Sequence, residues 1–243
     1  MKIIKYIPDT ITCLNLLSGS IAVIFAFRDD FDMALAMIVL AAVFDFLDGM
    51  AARALHAYSD IGKELDSLSD TVSFGLAPSL ILYNYLDGFP SSCIPPYICY
   101  IPLLIAAFSA LRLAKFNLDT RQTESFLGLP VPASALFAAS LAAFAGHYQY
   151  VANTILANSY AIPAVTVVLC ALLVSEVPMF SMKLKTLRWK DNAQRFTFLC
   201  ITIPAAAILL VLKIHWTGIV FTVFAFYIIW NAAAALLRKL LHK

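Results

Sequence analysis

Charge is what this chain has least of. Asp, Glu, Lys and Arg make up 13% of its 243 residues, where a soluble domain carries roughly 25%. From Ser125 to Ser175 there is none of them at all. Hydrophobic residues account for 62%, and mean hydropathy is +0.84. A chain of this composition cannot clothe a water-facing surface, which excludes an ordinary soluble enzyme. Nothing in it suggests a nucleic-acid partner. CxxC pairs are missing too. Cys13, Cys93, Cys99, Cys170 and Cys200 lie singly in or beside apolar runs, the pattern of spectator thiols rather than a disulfide framework or zinc site. No small-residue cleavage pattern follows the first apolar run, which contains Asn15 and ends at Arg28. It is expected to be a retained helix. A second domain, a repeat of fixed period and a low-complexity tract are also lacking, so residues 1–243 read as a single integral membrane domain.

What is present is a series of apolar runs. A helix crossing the hydrocarbon core needs about 20 residues. Eight runs qualify: 8–27, 31–54, 61–86, 95–116, 131–148, 159–177, 195–213 and 217–237. The uncharged stretch is long enough for two of them, with polar residues 146–153, Asn158 and Ser159 supplying the turn. The expected architecture is all-α, a polytopic helical bundle with core spans over roughly 8–177 and additional C-terminal spans over 195–237.

Basic residues test the count, because Lys and Arg gather in cytoplasmic connections. Lys2 and Lys5 precede the first run. Arg53 and Lys63 lie between the second and third, and Arg112, Lys115 and Arg121 near the connection of the fourth and fifth. Lys183, Lys185, Arg188, Lys190 and Arg195 separate the sixth and seventh, and Arg238, Lys239 and Lys243 close the chain. Of the 17 basic residues, Arg28 and Lys213 alone fall on the other side. This places both termini in the cytoplasm of a multi-pass cell-membrane protein. The cluster at 183–195 reads as a topological anchor or as a binder of anionic headgroups.

Four carboxylates then stand out. Asp45 and Asp48 are three apart, Asp66 and Asp70 four apart, and each pair shares a helical face. Ser59 or Asp60 can cap the second helix, so the two helices form an antiparallel pair whose acids converge near the membrane boundary. An isolated ionised carboxylate is costly at low dielectric, and clustered acids repel unless cations share the site. Oxygen ligands alone suit hard cations: Mg²⁺, Mn²⁺ or Ca²⁺. Gly49 and Ala52 lie on or beside the first pair's face, where small side chains admit close approach. Arg53 can fork onto a phosphate or brace an aspartate. Together these residues describe a site for a metal-bound pyrophosphate. The competing reading is an ion or proton transporter, since intramembrane acids often form relays. The boundary position favours an enzyme, because a conduction path needs polar groups at mid-membrane depth. Thr12 and Asn15 on the first span either cap the site or simply bond between helices. His56 reads as a solvated bystander, Glu64 as an exposed acid of a helix first turn, and the Tyr and Trp residues as an interfacial population.

The run Asp45-x2-Asp48-Gly49-x2-Ala52-Arg53-x8-Gly62-x3-Asp66-x3-Asp70 resembles the signature of the CDP-alcohol phosphatidyltransferase family at every defined position. The stretches Thr71–Ser79, Leu111–Asn117 and Gly128–Ala133 are similar to its serine-using branch. Pro8-Asp9-x2-Thr12-x2-Asn15-x3-Gly19 is close to another family element, from which Asp9 departs. The resemblance implies transfer of the phosphatidyl group from CDP-diacylglycerol to the hydroxyl of L-serine, giving phosphatidylserine and CMP. It implies two divalent ions, Mg²⁺ or Mn²⁺ with Ca²⁺ as a substitute, held by Asp45, Asp48, Asp66 and Asp70, with Asp70 also the general base. Gly49, Ala52 and Arg53 would bind CDP-diacylglycerol. Arg112, with Lys115 second, is the candidate for the serine carboxylate or a phosphate. A homodimer in contact with membrane lipid is implied as well. Glycerol 3-phosphate, inositol phosphate or choline are the alternative acceptors.

Overall fold

The computed structural model describes residues 6–89, 94–118, 126–148, 160–180 and 189–241. Lys2, Lys5, Cys93, Arg121, Lys183, Lys185, Arg188 and Lys243 lie outside the described residues. So do residues 149–159 of the expected turn and the side chains of Lys190, Arg238 and Lys239.

Helices form where apolar runs were long. The first two are α1 (Tyr6–Ala26) and α2 (Phe31–Ala54). They reverse through a tight turn in which Asp29 takes φ 59° and the Asp30 side chain accepts from Met33 N at 3.0 Å, capping α2. α3 (Asp60–Asp70) follows after a second short turn. Its cap is Ser59, whose Oγ accepts from Gly62 N at 2.9 Å. Helical backbone then continues without a break through a π-helical turn (Thr71–Leu76) into α4 (Ala77–Asp87). The expected third span is thus one rod with a widened turn directly after Asp70.

That turn is where α1 comes closest. A Cβ on Gly19 would lie 2.5 Å from Ser73 Cα, so backbone meets backbone there. Ser73 Oγ donates to Asn15 O at 2.9 Å. Small residues allow such approach between membrane helices, and π turns of this kind concentrate at functional sites.

The fourth span opens as a 3₁₀ helix (Pro96–Leu103) and becomes α5 (Leu104–Leu118). The uncharged stretch gives α6 (Val131–His147) and α7 (Ala161–Val174), and the chain ends in α8 (Trp189–Val211), kinked at Asn192, and α9 (Trp216–Leu241). α6 is the axis of the bundle. Its Ala and Ser positions are buried along its whole length, against α2, α4 and α9. Among the described residues, five helices are long and apolar enough to cross a membrane by themselves, and α6 and α7 are shorter apolar helices. Ile203, Ile208, Leu210 and Val211 of α8 are exposed, the outer surface expected of a helix facing lipid. The described residues are therefore an all-α, multi-pass bundle. Cys13, Cys99, Cys170 and Cys200 are free thiols.

One feature was not anticipated. Two-residue strands β1 (Phe126–Leu127) and β2 (Pro178–Met179) pair antiparallel. They latch the chain entering α6 onto the chain leaving α7. Gly128, at φ +81°, makes the turn possible, since a Cβ there would come within 2.7 Å of Leu173 O. Leu129 N then donates to Leu172 O at 2.9 Å.

Candidate active site

The antiparallel pairing of α2 and α3 brings their acids together. Carboxylate oxygens of Asp45, Asp48 and Asp66 all lie within 4.8 Å of one another. Asp48 is buried, and Asp45 and Asp66 are half-buried. Asp70, one turn beyond Asp66, is buried beside this trio and faces the same cleft as Asp45 and Asp66.

α1 sets the orientation of the deeper acids. Thr12 Oγ1 lies 2.7 Å from Asp48 Oδ2 and can donate to it, with Pro8 O a second acceptor at 3.0 Å. Asn15 Nδ2 donates to Asp70 Oδ1 at 3.1 Å. Ser69 Oγ donates back to Thr12 O at 3.3 Å. Thr12 and Asn15, undecided from sequence, thus bond Asp48 and Asp70. Gly62 has a related role. A Cβ there would lie 2.8 Å from Asp9 Oδ1 and 2.9 Å from Ser59 Oγ, so the glycine lets the start of α3 close on α1.

Asp45, Asp66 and Asp70 line a cleft of about 390 Å³. Arg112 and Asn117 of α5 and Tyr227 of α9 supply other polar parts of its lining. Arg112 is 7% exposed, and its guanidinium lies 5.8 Å from the centroid of the Phe116 ring. A buried cation lining the same cleft as three carboxylates gives it both signs of charge. Asn117 Nδ2 donates to Ser67 Oγ at 2.8 Å, tying α5 to α3. Tyr227 donates its hydroxyl hydrogen to Phe180 O at 2.9 Å, and Asn231 Oδ1 accepts from Phe180 N at 3.1 Å. Asn117 and Tyr227 were not assigned from sequence. Tyr227 and Asn231, polar and four apart in an apolar helix, are the signal that could have found the second.

Other candidates lie at the margin. Beside Gly49, a Cβ would meet Arg53 Nη1 at 3.5 Å and no other neighbour within 4 Å, so that face is open. Ala52 is half-buried, and Arg53 is exposed. Lys115 is exposed and does not line the cleft. His56 is exposed, with φ 49°, in the turn between α2 and α3.

The trio fits a hard divalent cation: three carboxylates from two helices, all oxygen donors, converging at distances one ion can span. Residues 5–174 match the family model described as CDP-alcohol phosphatidyltransferase. The chain is 39% identical over 129 residues to a Bacillus subtilis protein named CDP-diacylglycerol–serine O-phosphatidyltransferase, covering 53% of this chain and 70% of that one. It is 36% identical over 168 residues to a Methanocaldococcus jannaschii protein of the same name, covering 69% of each. It is 34% identical over 146 residues to the archaetidylserine synthase of Methanothermobacter thermautotrophicus, covering 56% of this chain and 58% of that one. Other relatives are covered over as little as 47% of their length. With the family's carboxylate constellation assembled at one cleft and the match running through seven of its helices, the chain belongs to the CDP-alcohol phosphatidyltransferase family.

Proposed function

We propose that this chain transfers the phosphatidyl group of CDP-diacylglycerol to the hydroxyl of L-serine, releasing CMP. The observation that carries the reading is the convergence of Asp45, Asp48 and Asp66 beside a cleft lined by Asp45, Asp66, Asp70 and the buried Arg112. The names of its relatives support serine as acceptor.

Asp45, Asp48 and Asp66 would hold divalent metal, Mg²⁺ or Mn²⁺, with Asp70 sharing a second ion. When bound, such ions offset the charge of the pyrophosphate and of the departing CMP. The chain's own residues do the rest. Gly49 and Ala52 leave an open helical face for the cytidine, and Arg53 at its edge meets a phosphate. Asp70 receives the proton of the serine hydroxyl as that oxygen attacks the lipid-linked phosphorus in line. Asn15 holds one Asp70 oxygen and so aims the other, the positioning that general-base transfer requires. Arg112 pairs with the serine carboxylate, which fixes the attacking hydroxyl relative to the phosphorus. Lys115, exposed one turn on, serves as an interfacial anchor. Residues 1–243 act as a single domain in the cell membrane, with both termini and the cleft on the cytoplasmic side, the side to which the basic connections point. As the family resemblance implies, the working unit is a homodimer.

The test is incorporation of labelled L-serine into lipid by the purified full-length protein in detergent with CDP-diacylglycerol. Incorporation that stops with chelator and returns with Mg²⁺ or Mn²⁺ is expected. Incorporation indifferent to chelator would overturn the metal assignment, and none at all the acceptor.

A further inference from the structure

We propose that Asp32, His147 and His215 form a second metal site, for a borderline divalent cation of the zinc type, at the end of the bundle away from the aspartates. Asp32 lies in the first turn of α2 and Asp45 thirteen residues further on, about 20 Å along the same helix. His147 ends α6, and His215 directly precedes α9. Two helices and the residue just before a third therefore deliver one donor each, and the donor atoms all lie within 4.8 Å of one another.

The donors differ in kind from those of the active site. Two imidazoles and one carboxylate suit zinc-type ions, whereas three carboxylates suit hard ones. His147 Nε2 is 2.7 Å and His215 Nε2 3.8 Å from the same atom, Asp32 Oδ2. Metal–ligand bonds of about 2.0–2.1 Å in a tetrahedron separate donors by about 3.3 Å. The two observed distances bracket that value, so small side-chain shifts would complete the geometry.

The second imidazole carries an independent sign. Its Nε2 lies 3.8 Å from Asp32 Oδ2, beyond hydrogen-bond reach, so a hydrogen-bonded brace to Asp32 accounts for His147 but not for His215. The other nitrogen, Nδ1, is 3.1 Å from Thr217 Oγ1. Protonated there, it donates to the hydroxyl and leaves the Nε2 lone pair for an ion, the outer arrangement typical of metal-bound histidine. The two rings lie with centroids 3.7 Å apart. Side chains about one-third exposed leave a fourth position to water.

His215 lies outside residues 5–174, the part matched by the family model. The ion would therefore staple the added helix α9 to α2 and α6. Since α9 supplies Tyr227 to the cleft wall, the staple would hold that wall in place.

The experiment uses the full-length protein in detergent, stripped with chelator and titrated with Co²⁺ under saturating Mg²⁺. A parallel titration uses the Asp45→Asn/Asp66→Asn variant. One equivalent of Co²⁺ with the intense visible absorption of low-coordinate, nitrogen-ligated cobalt is expected in both, displaced by Zn²⁺. His147→Ala and His215→Ala should each weaken binding at least tenfold. Zn²⁺ should raise the unfolding midpoint of the wild type but not of His215→Ala. Should either histidine variant elute as misfolded, His147→Gln and Thr217→Val take its place. Cobalt binding unchanged in the histidine variants, or no stoichiometric binding below millimolar Co²⁺, would overturn the proposal.

Discussion

Asn15 and Asp70, 55 residues apart in sequence, are joined by a hydrogen bond of 3.1 Å between buried side chains. The bond crosses from α1 to the last residue of α3, where the helix widens into its π turn. In the proposed reaction Asp70 accepts a proton from substrate and has to be aimed, and the Asn15 amide would do the aiming. Asn15→Ala should lower turnover ten- to a hundredfold at saturating serine. The unfolding midpoint should move little, because the hydrogen bond contributes roughly 1–2 kcal/mol. Turnover and thermal unfolding measured on the same preparation check this.

Thr12 does for Asp48 what Asn15 does for Asp70. Thr12→Val keeps the shape and removes the hydroxyl. The variant should need roughly tenfold more Mg²⁺ or Mn²⁺ for half-maximal activity, the scale of outer-ligand losses. Thr12→Ser should restore the wild-type requirement. A metal titration of activity separates the two.

Arg112 presents a buried cation to the cleft. Arg112→Ala should raise the serine KM at least tenfold while changing kcat much less. Arg112→Lys should recover little, because an ammonium cannot form the forked pair. Unchanged serine kinetics would remove Arg112 from the site.

Gly19 is a packing prediction. A side chain there collides with the backbone at Ser73. Gly19→Ala should destabilise the protein by about 1–3 kcal/mol, as overpacking does, and should lower activity by displacing the π turn next to Asp70. The unfolding midpoint in detergent reports the first effect and CMP release the second.

These residues also show how far the sequence could be read. All eight runs are mainly helical over their described residues; hydropathy and length decide that for most of them, while the charged α3 owes its start to the Ser59 cap. Asp45, Asp48, Asp66 and Asp70 were legible because spacings of three and four fix a shared helical face. Ser59 was legible as a cap. The π turn was not, since it depends on Gly19 meeting Ser73 across two helices. Thr12 and Asn15 stayed ambiguous for the same reason: their spacing places them on a face of α1 without saying what that face meets. Tyr227 sits in an apolar helix and read as interfacial, yet its position beside Arg112 follows from how α9 packs on α6. His147 and His215, 68 residues apart, carry no local pattern that pairs them.

The most direct test is CMP release from CDP-diacylglycerol by the purified protein, with L-serine, glycerol 3-phosphate and inositol phosphate in parallel and a folded Asp70→Asn variant as control. The account predicts release that depends on L-serine and disappears in the control. Release driven by another alcohol, or none with any of the three from a folded protein, would contradict it.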